Sequence, residues 1–278
     1  MYETHDSTSA RGGDTPPPDG RGTARRDEDV ISSPGVSLFA IALGLSLLGG
    51  LGGVLVASGV LLISDSTRAR LVPWLVSYAV GTLLGVAMLD ILPRTLDQLP
   101  AARVFSTLLS GILLFFMLEK LVLWRHCHTH DCEVHDGSVL PVLIGDAFHN
   151  FVDGAIVAAA VATSVPLGIS TAIAVAAHEI PQEVGDFAIL LHAGYSRPKA
   201  LMLNVLSAAA SALGVVSAFL AFDSLPILLP HFLVLAASSF LYVAMADLIP
   251  GLHRGRTDAN SFRQILLIAG GVGTIMAL

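Results

Sequence analysis

Two short stretches hold side chains whose types and spacing suit a metal ion. In the first, from Asp146 to Gly154, Asp146, His149, Asn150 and Asp153 stand at i, i+3, i+4 and i+7. That spacing places them on one face of a helix. In the second, His178, Glu179, Gln182, Glu183 and Asp186 stand at i, i+1, i+4, i+5 and i+8, again on one face. Imidazole beside carboxylate suits zinc, iron or manganese better than calcium or magnesium, which favour all-oxygen shells. Hydrogen bonding among these residues, simply gluing helices together, is the bland alternative. It fails on sign, because Asp146, Asp153, Glu179, Glu183 and Asp186 share the two segments with no Lys or Arg. Five uncompensated carboxylates in apolar surroundings call for protons or a cation.

The surroundings are apolar because the chain is. Of 278 residues, 54% are apolar and 13% charged, with a mean hydropathy of +0.73. A soluble domain carries about 25% charge. Apolar runs near 36–63, 71–92, 104–124, 139–163, 167–192, 199–222, 226–249 and 263–278 predict an all-α integral membrane bundle of eight transmembrane helices. The polar stripes lie in the fourth and fifth, each beginning about ten residues in from its helix end, which is ~15 Å at 1.5 Å per residue. Only about Ser164 to Pro166 joins these two helices, so they are expected to be antiparallel neighbours with facing stripes. Pro181, which cannot donate to the carbonyl of Ala177, is expected to disturb the fifth helix where it lines a wet cavity.

Lys and Arg in the connections predict orientation. Arg68, Arg70, Lys120, Arg125, Arg197, Lys199, Arg254, Arg256 and Arg263 lie in odd-numbered loops, against Arg94 and Arg103 in the even ones. This places both termini outside the cytoplasm. Residues 1–33, rich in Gly, Pro, Ser, Thr, Asp and Arg, read as a disordered tail, and 34–278 as the eight-helix transmembrane domain. The formal net charge of −7 is partly a property of that tail. A cytoplasmic loop at about 125–138 carries His126, His128 and His130 with Cys127, Cys132 and His135, a set able to bind metal loosely.

One segment recurs. Ala87-Met88-Leu89-Asp90-Ile91-Leu92-Pro93 ends the second helix, and Ala244-Met245-Ala246-Asp247-Leu248-Ile249-Pro250 ends the seventh. Helices of opposite direction bearing the same AMxDxxP predict an inverted repeat, helices 1–3 against 6–8. Asp90 would then stand at the outer mouth and Asp247 at the cytoplasmic one, as transfer ligands.

The fourth-helix motif His149-Asn150-Phe151-Val152-Asp153-Gly154 and the fifth-helix motif His178-Glu179-Ile180-Pro181-Gln182-Glu183-Val184-Gly185-Asp186 resemble those of the ZRT/IRT-like (ZIP) metal transporter family. The closer likeness is to its histidine-rich subfamily, which carries HNxxDG and HEIPHEVGD. The resemblance implies a binuclear site between the fourth and fifth helices, completed by the second, sixth and seventh. By position, His149, Asp153, His178 and Gln182 would line one metal, and Asn150, Asp153 and Glu179 its neighbour. Gln182 departs from the subfamily, which usually has His there. Glu183 shares the stripe, while Asn204 and Ser207 on the sixth helix stand where some members place a Glu.

The transported substrate implied is Zn2+, with Fe2+, Mn2+ and Cd2+ as alternatives. Expected partners are divalent metal ions and the lipid bilayer, with a homodimer left open and no nucleic acid. Two other readings compete. An intramembrane zinc metalloprotease would need His where Gln182 stands, four residues after His178. A non-transporting metal sensor would bind without moving its ion. The compact loops favour a bacterial inner membrane, and no enzymatic activity is expected.

Overall fold

The computed structural model describes residues 34–126, 139–253 and 259–278. The tail at 1–33 and most of the histidine loop lie outside the described residues. Among the described residues every regular element is helical: α1 (Pro34–Val60), α2 (Asp65–Leu96), α3 (Ala101–His126), α4 (Val139–Thr163), α5 (Val165–His192), α6 (Arg197–Ser224), α7 (Leu228–Tyr242, continuing through Val243–Leu248 and Ile249–His253) and α8 (Ala259–Met276). Six of these, α1 to α4, α6 and α7, are long and apolar enough to cross a membrane. The apolar part of α8 is shorter, and α5 stands apart through its three acids, Glu179, Glu183 and Asp186.

Two helix starts show why hydropathy and helix length differ. The apolar run of α2 begins at Leu71, yet the helix begins at Asp65. Ser64 accepts from the backbone N–H of Thr67, and Arg68 pairs with Asp65 at 2.5 Å, so capping and an i,i+3 pair extend the helix beyond its apolar part. Between α4 and α5 a single extended residue, Ser164, reverses the chain. Its hydroxyl accepts from Leu167 N–H at 3.3 Å, and Pro166 occupies the first turn, where its missing N–H costs nothing. α4 and α5 are therefore antiparallel neighbours by local geometry.

The recurring AMxDxxP segment has the same backbone in both places. Val86–Ile91 and Val243–Leu248 are π-helical, with the Leu92 and Ile249 N–H groups reaching back five residues to the carbonyls of Ala87 and Ala244. Pro93 and Pro250 follow directly and have no N–H for the usual ladder, and a widened turn accommodates the mismatch. Packing partners are matched as well: α1 lies against α5 and α6 against α4, while α2 lies against α8 and α7 against α3.

These crossings are close because glycine permits it. A Cβ on Gly154 of α4 would strike the backbone carbonyl of Ser211 on α6, and one on Gly214 of α6 would strike that of Phe151 on α4. The buried core is small and aliphatic, running through Ala155, Ile156, Ala158 and Ala159 of α4 to Val215, Val234 and Ala237. Large apolar side chains such as Leu48, Phe105, Leu113, Leu140 and Leu220 point outward. The acids of α4 and α5 point inward.

Candidate metal centre

At the middle of α4 and α5 the two stripes meet. His149, Asp153, His178 and Glu179 each offer one ligand atom, all within 4.8 Å of one another. The Nε2 atoms of His149 and His178 are 3.1 Å apart. Asp153 Oδ2 lies 3.0 Å from His178 Nε2 and 3.7 Å from His149 Nε2, and Glu179 Oε1 lies 3.7 Å from each ring nitrogen. Tetrahedral zinc with bonds of about 2.0–2.2 Å places neighbouring ligand atoms about 3.3 Å apart. The observed edges bracket that value.

Hydrogen bonding fixes the tautomer at the heart of this cluster. His178 Nδ1 lies 3.0 Å from the carbonyl of Ala174, one turn earlier, and a carbonyl only accepts, so Nδ1 carries the proton. In a neutral ring the Nε2 lone pair then faces a carboxylate oxygen and a second imidazole. The contact with the carboxylate is favourable only with a cation or an added proton, while that with His149 is a hydrogen bond when His149 carries its proton on Nε2. The bond to Ala174 also orients the ring, as an outer-shell partner does for a ligating histidine. Asp153 and His178 are 2% exposed and Glu179 is fully buried with neither oxygen hydrogen-bonded, so water does not relieve the charge. A cluster serving only as helix glue would leave no such unmet acceptors.

The other anticipated residues surround this centre. Asn150 is buried and donates to Asp146 Oδ1 at 3.0 Å, and Gln182 donates to the same oxygen at 3.2 Å. As arranged, Gln182 is thus held by Asp146, and Glu179 joins the two histidines as the fourth group. Asp146 was legible on the α4 stripe, but its part in orienting two neighbours was not, because that depends on the crossing of α4 and α5. Glu183 of α5 and Asn204 of α6 are fully buried beside one another. Ser207 is buried and donates to the Leu143 carbonyl at 3.4 Å.

A cavity of about 600 Å³ runs from His149 and His178 past Pro181, Gln182 and Asp146 to Asp186 and Asp247. Pro181 lines it, the placement required of a helix-breaking residue at membrane depth. Asp90 is not brought to this cavity. It pairs with Arg94 at 2.7 Å on its own helix and accepts from Ser170 of α5 at 2.6 Å. His126 closes α3, while His128 and His130 lie outside the described residues.

Replacing Gln182 by histidine is expected to tighten zinc binding by roughly tenfold or more, since imidazole is the better ligand for a borderline metal. Release should slow in proportion. Titration with a zinc-competing dye measures the first and efflux from loaded vesicles the second; unchanged affinity would mean that position 182 does not reach the ion.

The model of the family described as ZIP zinc transporter matches residues 125–278. Among curated proteins, "Zinc transporter foi" of Drosophila melanogaster is 36% identical over 138 residues, covering 49% of this chain and 19% of that protein. "Zinc transporter ZIP4" of Homo sapiens is 45% identical over 120 residues, 42% of this chain and 18% of the relative. "Metal cation symporter ZIP14" of Xenopus tropicalis is 42% identical over 117 residues, 40% and 24%. The chain thus spans about a fifth of the length of the curated relatives it matches.

Proposed function

The chain belongs to the ZIP zinc transporter family, and from that membership we propose that it carries divalent transition metal ions, zinc first, across a membrane through the centre between α4 and α5. The single observation that carries this reading is the four-ligand cluster of His149, Asp153, His178 and Glu179 at the middle of two helices without Lys or Arg. A buried carboxylate cluster is costly to maintain and finds its compensation in the ion it moves. The relatives are named as transporters of zinc or metal cations, which supports transport over peptide cleavage or sensing.

In this reading the protein is a multi-pass membrane protein in which 34–278 is the transport domain, α5 and α8 cross the bilayer with the other six, and both termini lie outside the cytoplasm. α5 crosses because its acids are buried among the other helices and not turned to lipid. An inverted repeat of α1–α3 and α6–α8 accounts for the paired π segments and the matched packing partners. Asn150, Glu183, Asn204 and Ser207 form the second position of a binuclear site, Gln182 borders the first, and Asp90 and Asp247 serve the two mouths. His126, His128 and His130 receive or sense metal in the cytoplasmic loop. Membership of the histidine-rich subfamily rests on the two quoted motifs. We place the protein in a bacterial inner membrane on its short connections, with Fe2+, Mn2+ and Cd2+ as further substrates and a homodimer as the assembled form.

The test is uptake into proteoliposomes of zinc, iron, manganese and cadmium in parallel. Zinc uptake that saturates is expected, and its absence alongside intact binding would favour a sensor. Protons compete with the metal for its ligands, so binding should weaken as the pH falls. Affinity independent of pH would argue against imidazole ligation.

A further inference from the structure

Helix α5 carries three polar stations at equal spacing: Ser170, His178 and Asp186, eight residues or about 12 Å apart at 1.5 Å per residue. His178 belongs to the metal centre and Asp186 to the cavity. Ser170, fully buried, belongs to neither. Its hydroxyl donates to Asp90 Oδ2 at 2.6 Å, across from α5 to α2. The other carboxylate oxygen, Oδ1, accepts from Arg94 Nε at 2.7 Å, one turn along α2. Arg94 is 43% exposed and Asp90 17%, so the pair lies at the rim of the bundle while Ser170 lies inside it.

We propose that Ser170, Asp90 and Arg94 form a latch that closes the Asp90 mouth of the path, and that an arriving divalent cation opens it by replacing Arg94 at the carboxylate. The proposal rests on the transport reading and adds to it two residues with assigned tasks. Arg94 is a stand-in cation: on its own, an i,i+4 pair within α2 closes nothing, but by holding Oδ1 it turns Oδ2 toward α5. Ser170 supplies the tie between helices.

The hydroxyl is built to let go. It has one proton and two acceptors within reach, Asp90 Oδ2 at 2.6 Å and the carbonyl of Leu167 on its own helix at 3.0 Å. The shorter, charge-assisted bond takes the proton when the latch is shut. When α2 moves away the proton falls back on Leu167, so opening leaves no buried donor without a partner and avoids the usual cost of breaking such a bond. Asp90 sits within the π turn, a segment with slack in its hydrogen-bond ladder where a small rearrangement re-aims the side chain.

The matched segment of α7 shows what the latch adds. Asp247 also sits in a π turn, but four residues later α7 has Gly251 where α2 has Arg94, and Asp247 lines the cavity that reaches the metal centre. An arginine at that position is therefore peculiar to the Asp90 copy of the motif. This conformation is closed at Asp90 and hollow toward Asp247.

The experiment uses the full chain in sealed proteoliposomes, with Cys127 and Cys132 replaced by serine and a reporter Ala174→Cys, one turn from both Ser170 and His178. Ala87→Cys on α2 serves as a second reporter; both positions are fully buried. A membrane-impermeant maleimide is applied from the Asp90 side after chelating metal. Ser170→Ala and Arg94→Gln should raise the labelling rate roughly tenfold, the effect of losing one charge-assisted hydrogen bond, and Arg94→Lys should restore slow labelling. Arg94→Gln should also lower the zinc concentration giving half-maximal uptake, and should have no further effect once Asp90 is Asn. Equal labelling of the parent and both variants, with both reporters, overturns the latch. Failure of the parent protein to take up zinc overturns the transport reading instead, and the labelling comparison stands apart from it.

Discussion

Asp153→Ala is expected to abolish zinc uptake and to weaken zinc binding by at least about 100-fold, the upper end of what loss of a mere supporting contact produces. Asp153 Oδ2 is the atom that both histidines approach, at 3.0 and 3.7 Å, so its removal leaves two imidazoles and Glu179 around a gap too neutral to hold a dication. His178→Ala should do the same by a different route, since it removes the ring whose orientation is fixed by Ala174. Both variants should remain folded, because neither side chain belongs to the aliphatic core that packs the helices together. Zinc titration in detergent and vesicle uptake are the measurements, with a melting curve on the same samples. Uptake within a few-fold of the parent in either variant would remove the residue from the centre. Loss of the fold instead would show that the cluster is a structural device.

Gly154→Ala carries the largest expected cost to stability. Gly154 follows Asp153 directly and lies where α4 crosses α6, and an added methyl would collide with the Ser211 carbonyl, a backbone atom that cannot rotate away. Overpacking of this kind costs typically about 1–3 kcal/mol, and here the only relief is to spread the two helices. Spreading would also shift Asn150 and Asp153 away from Asn204 and Ser207, so zinc affinity should fall together with thermal stability. Gly44→Ala on α1, where an added methyl meets nothing within 4 Å, should be neutral or slightly stabilising because alanine favours the helix. Thermal unfolding followed by size-exclusion chromatography compares the two. Equal stability of both variants would mean that the α4–α6 crossing is looser than the structure has it.

Much of this molecule is legible in its amino-acid sequence, and the reasons are physical. Lipid leaves a crossing chain only the helix and the closed barrel, and apolar runs of about twenty residues mark helices directly, while periodicity 3.6 places His149 with Asp153 and His178 with Glu179 on single faces. The one-residue link at Ser164 follows from the short gap between runs, and it makes α4 and α5 antiparallel neighbours. The AMxDxxP recurrence marks two matched segments, although nothing in the letters says that both are π-helical. Helix starts were less legible. Ser64 and Asp65 extend α2 by a capping bond and an ion pair that hydropathy does not register.

Which members of each stripe meet is a different kind of information. Glu179 and Gln182 share a face of α5, and position within the motif set Gln182 beside the two histidines with Glu179 one place away. The tertiary structure groups Glu179 with them and turns Gln182 to Asp146. Likewise Arg94 reads in sequence as a lone charge in a loop and Ser170 as a small residue near a helix start, yet together they hold Asp90. Spacing along one helix determines a face, which is why the sequence alone determined the chemistry, the depth and the candidate residues. The separation of α4 and α5 is decided by contacts such as Gly168 against Val161, where an added Cβ would strike the neighbouring side chain. Distances of 3.0 to 3.7 Å between side chains on different rods therefore exist only once such contacts are made.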